Sequence, residues 1–301
     1  MHATSGAALA ATHPCTDTAT PGNFMDMKFN FNLGAGDNGN VMGITNNRDT
    51  TRSLAFAYDA LNRLQSANTT STHATSSTNC WGESYGIDGW GNLNSMSSLN
   101  SQYTGCTQEN GFSTTATTRN QLPLAGAVYD SAGNMTAAPV GGITNSYVFN
   151  AENQMTSMTG LSVTTNYVYD GDDKRVQKTG SKLYWYGADG SVLDETDPSG
   201  SMTNTSFNEY IYFGGKRIAR RDSAGNVLYY LADQLGTARS IAQVLAGQNA
   251  ATLCYDADFY PYGGERTVVN ICGQNYKFTG KERDSESGLD NFGARYHGSS
   301  L

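Results

Sequence analysis

Charge is scarce in this chain: only 15% of its 301 residues are Asp, Glu, Lys or Arg, and 27 acids against 19 bases leave a net charge of −8. A field of that sign repels phosphate backbones and anionic lipid surfaces, which argues against a nucleic-acid partner. Few stretches combine Ala, Leu, Glu, Lys and Arg at helical spacing, so little helix is expected. No window approaches the roughly 20 consecutive apolar residues that a membrane span needs. Five Cys and four His are too few, and contain no C-x-x-C, to suggest a zinc site. The opening "MHATSGAALAATHPC" has neither a basic n-region nor a long apolar h-region and makes a poor signal peptide. Residues 1–25 as a whole read as a poorly ordered leader rich in Ala, Thr and Pro.

What the chain has instead is 34 Gly, 18 Tyr and 11 Phe, in a repeating order. "YDALNRLQSA" begins at Tyr58, "YDSAGNMTAA" at Tyr129, "FNAENQMTSMTG" at Phe149, "YDGDDKRVQKTG" at Tyr169 and "YGADGSVLDET" at Tyr186, with looser copies at Tyr85, Phe213 and Tyr255. Tyr129, Phe149 and Tyr169 recur at about 20 residues, within the range of stacked repeats. The spelling has a local cause. The aromatic (Tyr58, Tyr129, Phe149, Tyr169, Tyr186, Tyr255) ends an incoming strand, and the next residue (Asp59, Asp130, Asn150, Asp170, Gly187, Asp256) opens a turn. Gly133, or Asn62 and Asn153 in its place, supplies a positive φ before the next strand leaves. A lone hairpin is marginal in water, so successive hairpins must pair edge to edge. The expected fold is all-β: consecutive hairpins forming a curved, spiralling antiparallel sheet. Three regions are expected: the leader, repeat hairpins over 26–208 with an irregular Ser/Thr-rich loop insertion near 65–128, and a motif-dense segment over 209–301.

These units resemble the YD repeats of the Rhs family of bacterial polymorphic toxins, insecticidal toxin complex C subunits and animal teneurins. "YIYFGGKRIARRDSAGNVLYYLADQLGTARSI", "YDADFYPYGGE" and "YKFTGKERDSESGLDNFGARYHGSSL" closely resemble that family's repeat-associated core segment. The resemblance implies a hollow β shell that encloses a C-terminal toxin, the core segment closing one end, in a protein secreted by or displayed on a bacterium. It implies polypeptide cargo and neighbouring Rhs repeats as partners. Toxin members continue into an aspartyl autoprotease; here the chain stops at "GARYHGSSL", before the stretch where the family's "GRFLSPDP" and cleavage motif would follow, so no catalytic Asp is assigned. An autoprocessing enzyme is therefore expected only if the chain continues. The reading is non-enzymatic, with no cofactor and no metal.

Other motifs read as structure. "FNLGAGDNGN" satisfies G-x-G-x-x-G through Gly34, Gly36 and Gly39, but no helical stripe follows. "DGDDK" lacks the EF-hand spacing and reads as an acid-rich turn. Asp256 with Asp258 resembles a carboxylate pair, yet its neighbours spell another turn. His297 and the three other His have no G-x-S-x-G elbow to serve. "GKRIARRD" and "GKERDSE" read as solvated or salt-bridged strand ends. Cys80 and Cys106 bracket an irregular segment and are candidates for a disulfide in an oxidising compartment, buried thiols being the alternative. Trp81, Tyr85 and Trp90 lie close enough to offer a glycan platform, the basis of an alternative adhesion or carbohydrate-binding reading, though cross-strand packing explains them as well.

Overall fold

The computed structural model describes residues 2–4, 23–32, 37–76, 78–140, 142–161, 163–204 and 206–299. One turn recurs through them. At Asp130 the backbone N–H donates to the Asn134 carbonyl at 2.9 Å, and the Gly133 N–H returns to the Asp130 carbonyl at 3.2 Å. The Asp130 carboxylate accepts the Asn134 N–H at 2.8 Å. Gly133 sits at φ 94°, which the missing Cβ permits. The same backbone pair of bonds is headed by Asp59, Asp88, Thr117, Asn150, Asp170, Gly187, Asp222, Asp233 and Tyr260. Three residues on, each has a left-handed Gly, Asn or Asp, the residue types that tolerate it.

The aromatic before the turn has its own task. Pairing slips by one residue between Ala57 and Tyr58, Val148 and Phe149, Val168 and Tyr169, and Trp185 and Tyr186, the bulge that such a turn imposes. The hydroxyls of Tyr169, Tyr186 and Tyr212 donate to the carbonyls of Met155, Arg175 and Val192, each at the start of a preceding strand. Turns are also tied to one another: Asn134 donates to the Asn153 side chain at 2.8 Å, and Gln154 to Asp173 at 2.6 Å. Each repeat is thus pinned to the previous one at its turn edge.

The chain divides into two compact units, Met1–Pro123 and Leu124–Leu301. The first carries an eight-stranded antiparallel sheet in which every strand pairs with its sequence neighbours. Met25, Met27, Leu54, Ala67, Trp81, Tyr85, Met96 and Tyr103 are buried in it. Across the insertion expected near 65–128 the strands Leu64–Thr69, Gly82–Ile87, Leu93–Ser98 and Phe112–Ser113 continue the sheet order, with longer non-strand segments between them. Its Ser and Thr serve the backbone, as where Thr69 Oγ1 donates to the Ser71 carbonyl and accepts the Trp81 N–H. Of the expected leader, His2–Thr4 pairs with strand Asn23–Asn30; residues 5–22 lie outside the described residues, as do Gly34 and Gly36.

The second unit carries a fourteen-stranded sheet, again in strict sequence order, from Val128–Tyr129 at one edge to Glu265–Asn270 at the other. Strands on both sides of residue 209 belong to it without a break. Period-two alternation turns Tyr147, Tyr167, Tyr184 and Tyr210 inward, whereas Val148, Val168, Trp185 and Ile211 are exposed. A separate three-stranded sheet, Glu282–Arg283, Leu289–Asn291 and Tyr296–Gly298, is formed by the closing segment.

One expected turn is misplaced in the sequence reading. Tyr255 and Asp256 lie inside strand Thr252–Phe259, and the turn comes four residues later, headed by Tyr260. A turn at Asp256 would force bulky Phe259 left-handed, whereas a turn at Tyr260 places Gly263 there at φ 99°. The Gly263 position has a second constraint, since a Cβ on it would lie 2.7 Å from the Phe278 ring.

Candidate functional site

The inward face of the second unit is apolar at both ends and ionic in the middle. Toward one edge, Ala138, Tyr147, Met155, Met158 and Tyr167 pack against Leu289 and Tyr296 of the closing segment. Toward the other, Leu228, Ile241, Tyr255 and Phe259 form a cluster on which Phe278 rests. Between them, strands Arg175–Lys178, Lys182–Tyr186 and Val192–Thr196 supply charges. These meet "KERDSE" of the closing segment about a hundred residues downstream in the chain.

Arg175 is the centre. Its guanidinium bonds Asp284 at 2.6 and 2.9 Å and Glu282 at 2.8 Å. Lys178 reaches Asp284 at 2.6 Å and Glu286 at 3.2 Å; Lys182 reaches Glu282 at 2.9 Å and Glu195 at 3.1 Å. Asp284 is 0% exposed and Arg175 3%, so these pairs are desolvated. Such burial costs several kcal/mol per ion unless the remaining lone pairs and protons find partners. Most do: Tyr184 donates to Glu282 at 2.8 Å, and Tyr210 and Tyr276 donate to Glu195 at 2.9 and 2.8 Å, while the Arg175 Nε is left without a partner. Burial pushes Glu282 upward, but Lys182, Arg175 and Lys178 outweigh it and hold the carboxyl well below the usual range. Burial leaves Asp284 raised despite Arg175 and Lys178. Burial, together with Glu282, pushes the Tyr184 phenol far up, so it stays a donor.

Beside this lattice Arg217 stacks at 3.5 Å over Tyr276, with Tyr210, Tyr212 and Tyr230 around it at 5.0, 5.5 and 6.0 Å. Of the two readings of "GKRIARRD" and "GKERDSE", the salt-bridged one holds for Glu282 and Asp284, which are buried and ion-paired, while Lys216, Arg221 and Lys281 are exposed. The arrangement clamps a returning segment across a sheet. His297 bonds the Tyr262 carbonyl at 2.7 Å and stacks with Phe278.

The repeat residues named from sequence fall at the turn edge. Asp59, Asp130, Asn150 and Asp170 each cap their own turns, and Gly187 heads one in which Asp189 accepts the Ser191 N–H instead. Tyr58, Tyr129, Phe149, Tyr169 and Tyr186 close the incoming strands. Asp256 and Asp258 form no catalytic pair: both are buried, and Asp258 is bound by Arg239 at 2.7 Å. Cys80 and Cys106 form a disulfide, and so do Cys254 and Cys272, a pairing with no signal in the sequence spacing. Trp81, Tyr85 and Trp90 do not make a glycan platform: the first two are buried, and Trp90 stands 88% exposed at a turn. The ion lattice was missed because its partners are distant in sequence. The one available signal was mixed charge in an otherwise charge-poor chain.

No protein-family model and no curated protein matches the sequence. Solved structures do. A Tc holotoxin pore of Photorhabdus luminescens carrying a TccC3 point mutation is similar over 92% of this chain, at TM-score 0.65 and 18% identity. TcdB2-TccC3 without its hypervariable C-terminal region is similar over the same share, at TM-score 0.63 and 17% identity. The chain spans 15% of each of those longer chains. At this identity the likeness is one of fold. The chain therefore has the antiparallel all-β fold of these Tc-toxin structures, the fold that the Rhs resemblance implied.

Proposed function

We propose that this chain is a wall segment of an Rhs/YD-repeat shell of a secreted bacterial toxin, and that it acts without catalysis by enclosing a polypeptide toxin C-terminal to it. The observation that carries this reading is the unbroken sequence-order sheet of fourteen strands, tied repeat to repeat at its turns and closed over on one face by its own last segment. Such a ribbon grows by adding hairpins and hides each strand edge under the next, which suits a barrier. Two disulfides agree with an oxidising destination. Among the described residues no helix is long and apolar enough to cross a membrane.

The test is enclosure. A flexible reporter bearing one protease site is fused after Leu301 in the shell polypeptide, and its cleavage is timed against the free reporter. Protection that disappears at the urea concentration unfolding the sheet supports the reading; cleavage at the free rate refutes it. A single intact mass after prolonged incubation accompanies a non-enzymatic role, and a clipped species refutes that part.

A further inference from the structure

We propose that the cleft between the turn edge of the second unit's sheet and its closing segment is an anion-binding site, and that its ligand is a carboxylate on an acidic stretch of polypeptide. The cleft has a volume of about 490 Å³, within the range of ligand sites. Lys174, Arg175, Lys216, Arg217 and Lys281 line it, against the acids Asp173 and Glu282. This is an excess of positive charge in a chain whose net charge is −8. A concave, low-dielectric wall of one sign concentrates counter-ions.

The charges differ in how far they are already answered. Arg175 and Glu282 neutralise each other at 2.8 Å. Lys174, Lys216, Arg217 and Lys281 form no salt bridge among the described residues. The nearby acids are engaged elsewhere: Asp173 accepts from Gln154 at 2.6 Å, and Asp189, which lies in the field of Lys174, accepts from the Ser191 N–H and hydroxyl.

Arg217 is the most telling. Its Nη groups donate only to neutral oxygens, the Gly280 carbonyl at 3.2 Å and the Tyr212 hydroxyl at 3.0 Å, and its Nε has no partner. Four tyrosine faces take up part of its charge. Cations drawn this far from water are ordinarily paired, and Arg217, only partly exposed, has no carboxylate within salt-bridge distance among the described residues.

The form of the site favours a carboxylate over phosphate. Arg and Lys cations alone serve either anion, so the phenol faces around them make the difference. Here the donors are side-chain cations set among phenol faces, which suits an acidic side chain with its flanking apolar atoms. Lys216 and Lys281 are exposed at the mouth, so a continuous peptide can pass over them.

The experiment is calorimetric titration of the full chain with two probes: an acetylated, amidated Glu-Glu-Tyr-Glu-Glu peptide and inorganic phosphate. The peptide is expected to bind, and to weaken as salt rises from about 50 to about 300 mM. Lys216→Glu with Lys281→Glu, both exposed and outside the core, should lower its affinity by at least about tenfold. Arg217→Gln should do the same. Arg221→Glu, outside the cleft, should change it by less than about twofold. If Arg217→Gln fails to fold, the lysine pair decides. Equal weakening by Arg221→Glu overturns the site, as does no peptide binding. Phosphate binding without peptide binding overturns the polypeptide ligand. None of these outcomes depends on enclosure, since a chain that encloses nothing would still bind the peptide.

Discussion

Replacing Arg175 with Met removes the cation that joins two buried carboxylates, and its consequence can be worked from the lattice. Arg175 gives Asp284 two bonds, at 2.6 and 2.9 Å, and Glu282 one at 2.8 Å; it also donates to the phenols of Tyr184 and Tyr296 at 3.2 and 3.1 Å. Met retains much of the apolar stem, so the change reports on charge more than on packing. Breaking a buried pair by removing one partner costs about 3–5 kcal/mol. Here Asp284 keeps Lys178 at 2.6 Å and Glu282 keeps Lys182 at 2.9 Å. The loss should therefore fall at the lower end, about 3 kcal/mol. With a urea slope of about 2 kcal/mol/M, the midpoint of the second unit moves down by about 1.5 M. Urea unfolding of the full chain, with hydrogen exchange followed over 281–291, measures it. A companion variant, Arg175→Met with Asp284→Leu, removes one charge of each sign and should recover at least half of the loss. A midpoint shift under about 0.5 M, or a companion no more stable than the single variant, would show that the lattice does not hold the closing segment.

Acid should loosen the same clamp. Burial raises Glu286 and Glu265, but Lys178 for the first and Lys277 for the second outweigh it and leave both carboxyls depressed. Depressed carboxyls add stability above the unfolded value of about 4.3 and lose it as pH falls through the folded one. The urea midpoint should thus drop below about pH 4.5, and Glu286→Gln should flatten that limb. Asp284, raised, works in the opposite sense and makes the limb shallower. Replacing Cys254 and Cys272 together by Ser opens a loop with a sequence separation of 18, and should cost about 3 kcal/mol in urea unfolding. Gly82→Ala would set a Cβ 2.6 Å from the Tyr103 ring, whereas a Cβ at Gly133 meets nothing within 4 Å. Both substitutions destabilise in thermal melts: the first through displaced packing, by about 1–3 kcal/mol, the second through its positive φ alone, by about 1–2 kcal/mol.

The difference between Tyr129 and Tyr255 shows how far the residues speak for themselves. Tyr129, Asp130 and Gly133 spell a turn whose bonds all fall within five residues, so composition and spacing suffice to find it, and with it the hairpin and the all-β ribbon. At Tyr255 the same opening letters sit in a strand, because the residue that can go left-handed lies at Gly263. Even there a local rule decides, once every turn position is weighed. The closing segment is another matter. "KERDSE" is polar enough to be written off as solvated, and its burial depends on Arg175, Lys178 and Lys182, which reach it only after seven or more further strands have been laid down.

Short-range chemistry in the chain therefore determined its turns, its strand order and its β class, since each rests on contacts a few residues apart. Only the tertiary structure decided which face the last segment covers, that Cys254 meets Cys272, and that Arg217 lacks a carboxylate. Desolvation is a property of the assembled surroundings, and a charge in the sequence carries no mark of whether water will be removed from it.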